Sequence, residues 1–216
     1  MECPKRATNH GEIRCREAFS EAKAEKFYDV GPDFRFQTTP GWEMENIPVV
    51  NGHRVLMSPR YTRSFPALSE PLRLLIDGSP GRAPVDWELF HDFWLVSDRM
   101  KAVLEALDRE GVAFLKCETR SLNQKTAPDY WLCDVIRVID AIDGEKTRGE
   151  ILNEGTESRR YDRMRRPSFV FKDEVVGSAH IFRPRFWGDI VCDQAVKDAC
   201  KSAGIRGIGF RDAAGE

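Results

Sequence analysis

The chain has 216 residues, of which 41% are hydrophobic and 10% aromatic, enough for one sizeable packed domain and too apolar for a disordered segment. Its 33 Lys and Arg against 35 Asp and Glu leave a net charge of -2, which excludes a global basic field for nucleic acid and confines any charge-driven partner to a local patch. The opening MECPKRATNHGEIRCREAFSEAKAEK carries charges where an export signal needs an apolar core, and no run has the length to span a bilayer, so a cytoplasmic protein is expected.

In chain order, CREAFSEAKAEK (15–26) predicts a helix within a polar extension over 1–25, and a single domain is expected over 26–213. KFYDV predicts a short strand. The stretch to about Arg63 reads as loops with short strands, punctuated by Gly31-Pro32, Pro40-Gly41, Pro48 and Asn51-Gly52. LRLLI (72–76) predicts a strand and DGSPGRAP (77–84) a loop.

Next comes FWLVSDRMKAVLEALDREGVAFLKCETR (93–120), whose pattern changes period where capping chemistry sits. Leu95 and Val96 end a strand, Ser97 or Asp98 can accept from free N–H groups of a first helical turn, and Met100, Val103, Leu104 and Leu107 recur at helical spacing. Gly111 is expected to stop the helix, and Val112 to Cys117 to form a strand. YWLCDVIRVIDAID (130–143) favours one long or bent strand, and the charged connection 144–167 has room for a helical turn. SFVFKDEVV (168–176) and AHIFRP (179–184) predict two more short strands.

FWGDIVCDQAVKDACKSAGIRGIGFRD (186–212) then repeats the strand-helix-strand grammar, with Cys192-Asp193 at the helix entry, a stripe of Ala195, Val196, Ala199, Cys200 and Ala203, a stop at Gly204 and a strand from Ile205 to Phe210. Its helix is expected to be about one turn shorter. Duplication and independent solution of one packing problem both remain open, since two copies do not establish a repeat. Strands interspersed with two or more helices in this order predict an α+β fold with a mixed or mostly antiparallel sheet.

The search for catalytic chemistry comes up nearly empty. None of the six cysteines forms a Cys-x-x-Cys pair, and Cys117, Cys133 and Cys200 read as core thiols. Cys3, His10 and Cys15 come nearest to metal spacing, but irregularly and without a fourth ligand. The four histidines, His10, His53, His91 and His180, fall in no metal or nucleophile motif, and His91 beside Asp92 on a strand would face the opposite way. GIRGIGF has no following helix to present N–H groups to a phosphate. Asp134, Asp140, Asp143 and Glu145 lack calcium-loop spacing and read as a solvated strand edge and turn. The basic run RRYDRMRR (159–166), with Tyr161 as its aromatic, reads as a solvated face or internal ion-pair set because Glu154, Glu157 and Asp162 share the loop, with a protein or nucleic-acid contact as the rival readings.

DFWLVSDRMKAVLEAL, YWLCDVIRVIDAID and FVFKDEVVGSAHIFRPRFWGDIVCDQAVKDACKSAGIRGIGF together resemble the immunity protein 11 family of bacterial polymorphic-toxin systems. The likeness covers most of residues 68–213, with a weaker echo at KFYDV, and departs from the family pattern in the first 25 residues and in the 144–166 loop. It implies an α+β immunity protein that binds and neutralises a cognate secreted toxin in the cytoplasm, the toxin expected to be an HNH-type nuclease. No catalytic residue, metal or cofactor is implied, nor a membrane or direct nucleic-acid partner, and self-association is left open. The rival classes are an enzyme with a dispersed active site and a nucleic-acid binder using the 159–166 loop. A nuclease presents a basic surface, so acids around an aromatic anchor are the expected contact: first Trp42, Glu43 and Glu45, with Trp42 expected to be exposed and Trp87 core, and second Tyr161, Glu154, Glu157 and Arg160.

Overall fold

The computed structural model describes residues 25–36, 38–46, 63, 65, 67–122 and 126–215. The predicted helix at its residues 15–24, the Cys3, His10 and Cys15 spacing, His53, and the turns at Pro48 and Asn51-Gly52 lie outside the described residues.

Strands β1 (Phe27–Pro32), β2 (Trp42–Met44), β3 (Leu72–Ile76), β4 (Trp87–Phe90) and β5 (Phe93–Ser97) lead into helix α1 (Asp98–Asp108). After it come β6 (Val112–Ser121), β7 (Tyr130–Val135), β8 (Val138–Ile139), β9 (Ile151–Leu152) and β10 (Arg160–Tyr161), then the short helix α2 (Asp173–Val176). The chain closes with β11 (Ile181–Pro184), β12 (Ile190–Asp193), α3 (Gln194–Ser202) and β13 (Ile208–Asp212). The fold is α+β in a single domain, built on a six-stranded sheet in the order β2-β3-β6-β7-β5-β4 and a five-stranded sheet in the order β13-β1-β12-β11-β8, with β9 and β10 as a separate pair. Both large sheets are mixed: β3 runs parallel to β6 and β8 parallel to β11, and the other pairings are antiparallel.

Side chains alternate across a strand, and here the alternation sorts the core into layers. From β5, Phe93 and Leu95 enter one cluster with Leu72, Leu74 and Leu132, while Trp94 and Val96 enter a middle cluster. The middle cluster also takes Met100 and Leu104 of α1, Val196 and Cys200 of α3, and Tyr28, Val30, Ile190 and Cys192 from the five-stranded sheet. Val191 and Phe182 face the opposite way, into a third cluster rich in aromatic rings. Both helices thus cover the middle layer, and Cys200 Sγ lies 3.9 Å from Met100 Sδ where they meet.

The two similar segments share one topology. β5 and β6, joined by α1, are both antiparallel to β7, which lies between them. β12 and β13, joined by α3, are both antiparallel to β1 in the same way. Both helices start on side-chain caps: Ser97 Oγ accepts from Met100 N at 3.4 Å, and Asp193 Oδ1 accepts from Val196 N at 3.0 Å. Their ends differ. Gly204, at φ 62°, terminates α3 as its type allows, but Gly111 does not terminate α1; Asp108 breaks the helix, and its carboxylate accepts from Gly111 N at the end of a 3-10 turn. The lengths are 11 and 9 residues, so the second helix is shorter by about half a turn rather than a whole one.

Three further expectations are corrected. The long strand over 130–143 breaks after Val135, where the N–H groups of Ile136 and Arg137 both donate to Gly111 O, and the break carries the chain from the six-stranded sheet into the five-stranded one. SFVFKDEVV is not a strand throughout. Ser168 and Phe171 make single bridges, while DEVV is α2, favoured by Asp173 and Glu174 in its first turn and ended by Gly177 at φ 60°. Gly31-Pro32 is no turn but the end of β1, paired with Gly209 and Ile208.

Candidate functional site

Buried groups here are committed to structure. Cys117, Cys133, Cys192 and Cys200 are free and buried, and burial pushes their thiols up, to about 12 for Cys117 and Cys200. That removes the thiolate that a nucleophile or metal ligand would need. His91 sits at the tip of the β4–β5 hairpin, not on a strand, with φ 54°, its ring edge-on to Phe90. His180 Nδ1 lies 2.6 Å from Asp193 Oδ2, tying the start of β11 to the α3 cap. Among the described residues no three His, Cys, Asp or Glu come together to hold a metal ion.

Asp134 is not on a solvated edge: it is 1% exposed and held by Arg63 and Arg183. Burial, with Arg63 nearby, lowers the pKa of Arg183. Asp143 is a turn residue, accepting from Glu145 N and Lys146 N.

The structure separates the residues singled out as contacts. Trp42 and Met44 of β2 turn toward the core, while Glu43, and Glu45 just past the strand's end, are exposed on the other face. Trp42 is therefore half-buried, not exposed, its ring 6.1 Å from Phe90, and it shares no face with the two acids. Glu45 pairs with Arg120 at 2.7 Å. Trp87 is core, as expected, at 1% exposed. Tyr161 is buried in the aromatic cluster against Phe169, and burial raises its hydroxyl pKa. Arg160, Glu154 and Glu157 are exposed around the β9–β10 pair, so the aromatic and the charges face apart there too. The arginines that follow are held in ion pairs, Arg163 with Asp189 and Arg165 with Glu150 at 3.0 Å.

A groove that no local stretch foretells runs between the two sheets. One cavity, of about 500 Å³, is lined by Val30 and Pro32 of β1, Trp87 and Leu89 of β4, Phe210 of β13, and Phe34. A second, of about 370 Å³, shares Pro32, Trp87 and Leu89 and reaches Trp42. Phe34 is 79% exposed and Leu89 54%. Among the described residues, the buried indole N–H groups of Trp42 and Trp87 have no hydrogen-bond partner.

Charges in the walls come in matched pairs. Asp29 accepts from Arg211 at 2.7 Å and from Trp187 Nε1 at 3.2 Å. Glu88 Oε2 accepts from Arg82 at 2.9 Å, and that hydrogen bond holds the Arg82 pKa above its usual value. Asp33 accepts from Arg35, which holds its carboxyl below the ordinary range. With Arg163 and Asp189, the rim is near neutral and can exclude water around an apolar centre.

No helix among the described residues is long and apolar enough to cross a membrane. Residues 26–215 match the family described as Immunity protein family (Imm11). No curated protein matches the chain.

Proposed function

Since the chain belongs to the immunity protein family Imm11, we propose that it neutralises a cognate protein toxin by binding it stoichiometrically in the cytoplasm. The family match across residues 26–215 is the observation that carries this reading. The toxin is proposed to be a nuclease of the HNH type. Such an enzyme draws nucleic acid with positive charge, and the exposed Glu43 of β2 and Glu45 just after it are the carboxylates proposed to steer it. Exposed Glu154 and Glu157 form the second such set. Trp42, on the other face of β2, contributes through the groove and not beside these acids.

The test is titration of a purified candidate toxin domain with this protein. The domain's nuclease activity should fall linearly with added immunity protein and reach zero at molar equivalence, with a co-migrating complex in size-exclusion chromatography. Inhibition at far less than equivalence would instead mark catalysis by this chain. A toxin domain with no nuclease activity, yet still bound, would correct the partner's chemistry alone.

A further inference from the structure

We propose that the groove between the sheets is the toxin's anchoring site, and that it receives a short apolar, uncharged segment of the toxin inserted between Phe34 and Leu89. The inference rests on the toxin-binding reading above and adds where, and by what chemistry, the partner is held. Soluble surfaces scatter single apolar side chains, but a cluster in a concave, polar-rimmed site marks a binding surface. Among the described residues, Phe34 at 79% exposed and Leu89 at 54% line one cavity together with Val30, Pro32 and Phe210.

The walls select the occupant's charge. Asp29 with Arg211, Glu88 with Arg82, Asp33 with Arg35 and Asp189 with Arg163 cancel one another within the rim. A charged insert would meet no unmatched partner and would lose its hydration, so the complement of this rim is a neutral, apolar segment. The edge strands β4 and β13 border the groove, so an extended segment can lie along it.

The steering acids and the groove then govern different rates. Charge on β2 acts on encounter and is screened by salt, whereas a desolvated anchor acts on dissociation.

The experiment measures binding kinetics of the same purified toxin domain to wild type, Phe34→Ser/Leu89→Ser, the single Leu89→Gln, and Glu43→Lys/Glu45→Lys, at about 0.1 and 0.5 M salt. The groove double variant should weaken binding about 30-fold or more, through faster dissociation and equally at both salts. Leu89→Gln should show part of that loss. Both replaced side chains are exposed, so the melting temperature should stay within about 2 °C of wild type. The proposal is overturned if wild type binds and the groove variants bind equally well. It is overturned too if wild type forms a dimer that the groove variants dissolve, which would make a second copy the occupant. Failure of wild type to bind the toxin domain would instead bring down the functional reading itself, and the groove's partner with it.

Discussion

Leu104 is 1% exposed beneath α1, and its truncation to Ala removes both transfer energy and packing from the middle layer. Leu104→Ala should cost about 2–5 kcal/mol in urea denaturation, and protection from the toxin should fall only as the folded fraction falls. An unchanged melting temperature with lost protection would make that helix face an interface. Asp108 holds the two halves together: its carboxylate accepts from Gly111 N, His180 N and Ile181 N, and pairs with Arg137. Asp108→Ala leaves at least two buried donors without a partner, an expected loss of at least about 2 kcal/mol by the same measurement. Glu25 gives a pH signature, since burial raises its carboxyl pKa above the ordinary 4.5, Asp193 and Asp173 add to the rise, and His180 opposes it. A carboxyl raised in the folded state costs stability when ionised, so the cost is full above its folded pKa and absent below 4.5. Glu25→Gln should therefore be slightly more stable than wild type at neutral pH, with the gain vanishing as pH falls to 4.5. A gain that instead grew on acidification would reverse the assigned sign. At this scale burial was only partly legible. Leu104 and Trp87 stood in apolar runs, whereas the flanking Pro, Gly and acids suggested a loop at Trp42 although Trp-Glu-Met-Glu alternates with the period of a strand.

The strand-helix-strand units were the most legible elements because their signals are local. A Ser or Asp at the entry, helical spacing of apolar residues and a Gly at the end of α3 all act within a few residues. Ser97→Ala should cost about 1 kcal/mol, and Asp193→Ala more, because Asp193 also holds His180. Equal losses in thermal melts would show that the His180 contact contributes nothing. Gly207 marks a junction the sequence hides. At φ 94°, an added Cβ would sit 2.2 Å from Trp87 O and 2.6 Å from Val85 Cγ2, where the approach to β13 meets the start of β4. Gly207→Ala should destabilise by well over the roughly 1–2 kcal/mol of a left-handed backbone alone, and should distort the groove, whereas Gly204→Ala, with open space around it, should cost only that amount. Melting both variants checks the difference. GIRGIGF, set aside as a phosphate cradle, thus carries a glycine needed for close backbone approach. DEVV shows the opposite failure: β-branched valines suggested a strand, while acids in a first turn and a left-handed Gly177 made a helix.

What joins the elements is non-local, and that is why the whole molecule was the least legible level. β1, from near residue 30, is the strand between β12 and β13, and β7 fills the equivalent place between β5 and β6. Strand order depends on pairings across more than 160 residues, such as Tyr28 with Cys192, which no periodicity records. The groove has the same origin, since residues 34, 89 and 210 meet only once both sheets have formed. An α+β class with a mixed sheet was readable from the order of elements, but the division into two sheets sharing one helical layer was not. That shared layer predicts how the protein unfolds. Val30 pairs with Ile190 on one side and Phe210 on the other, and its side chain lies in the cluster that includes Trp87, Trp94 and Leu104 from the six-stranded side. Val30→Pro removes an N–H from a central strand and forces the backbone, an expected loss of about 3 kcal/mol or more. If the two sheets were separate domains, only the five-stranded one would weaken, and part of the transition would stay at the wild-type midpoint. Because the middle layer takes side chains from both, the entire urea transition should move to lower denaturant, with tryptophan fluorescence and far-UV circular dichroism still superimposed. A biphasic curve would refute the single core. It would also mean that the groove, walled by both sheets, opens and closes with domain movement instead of standing preformed for its partner.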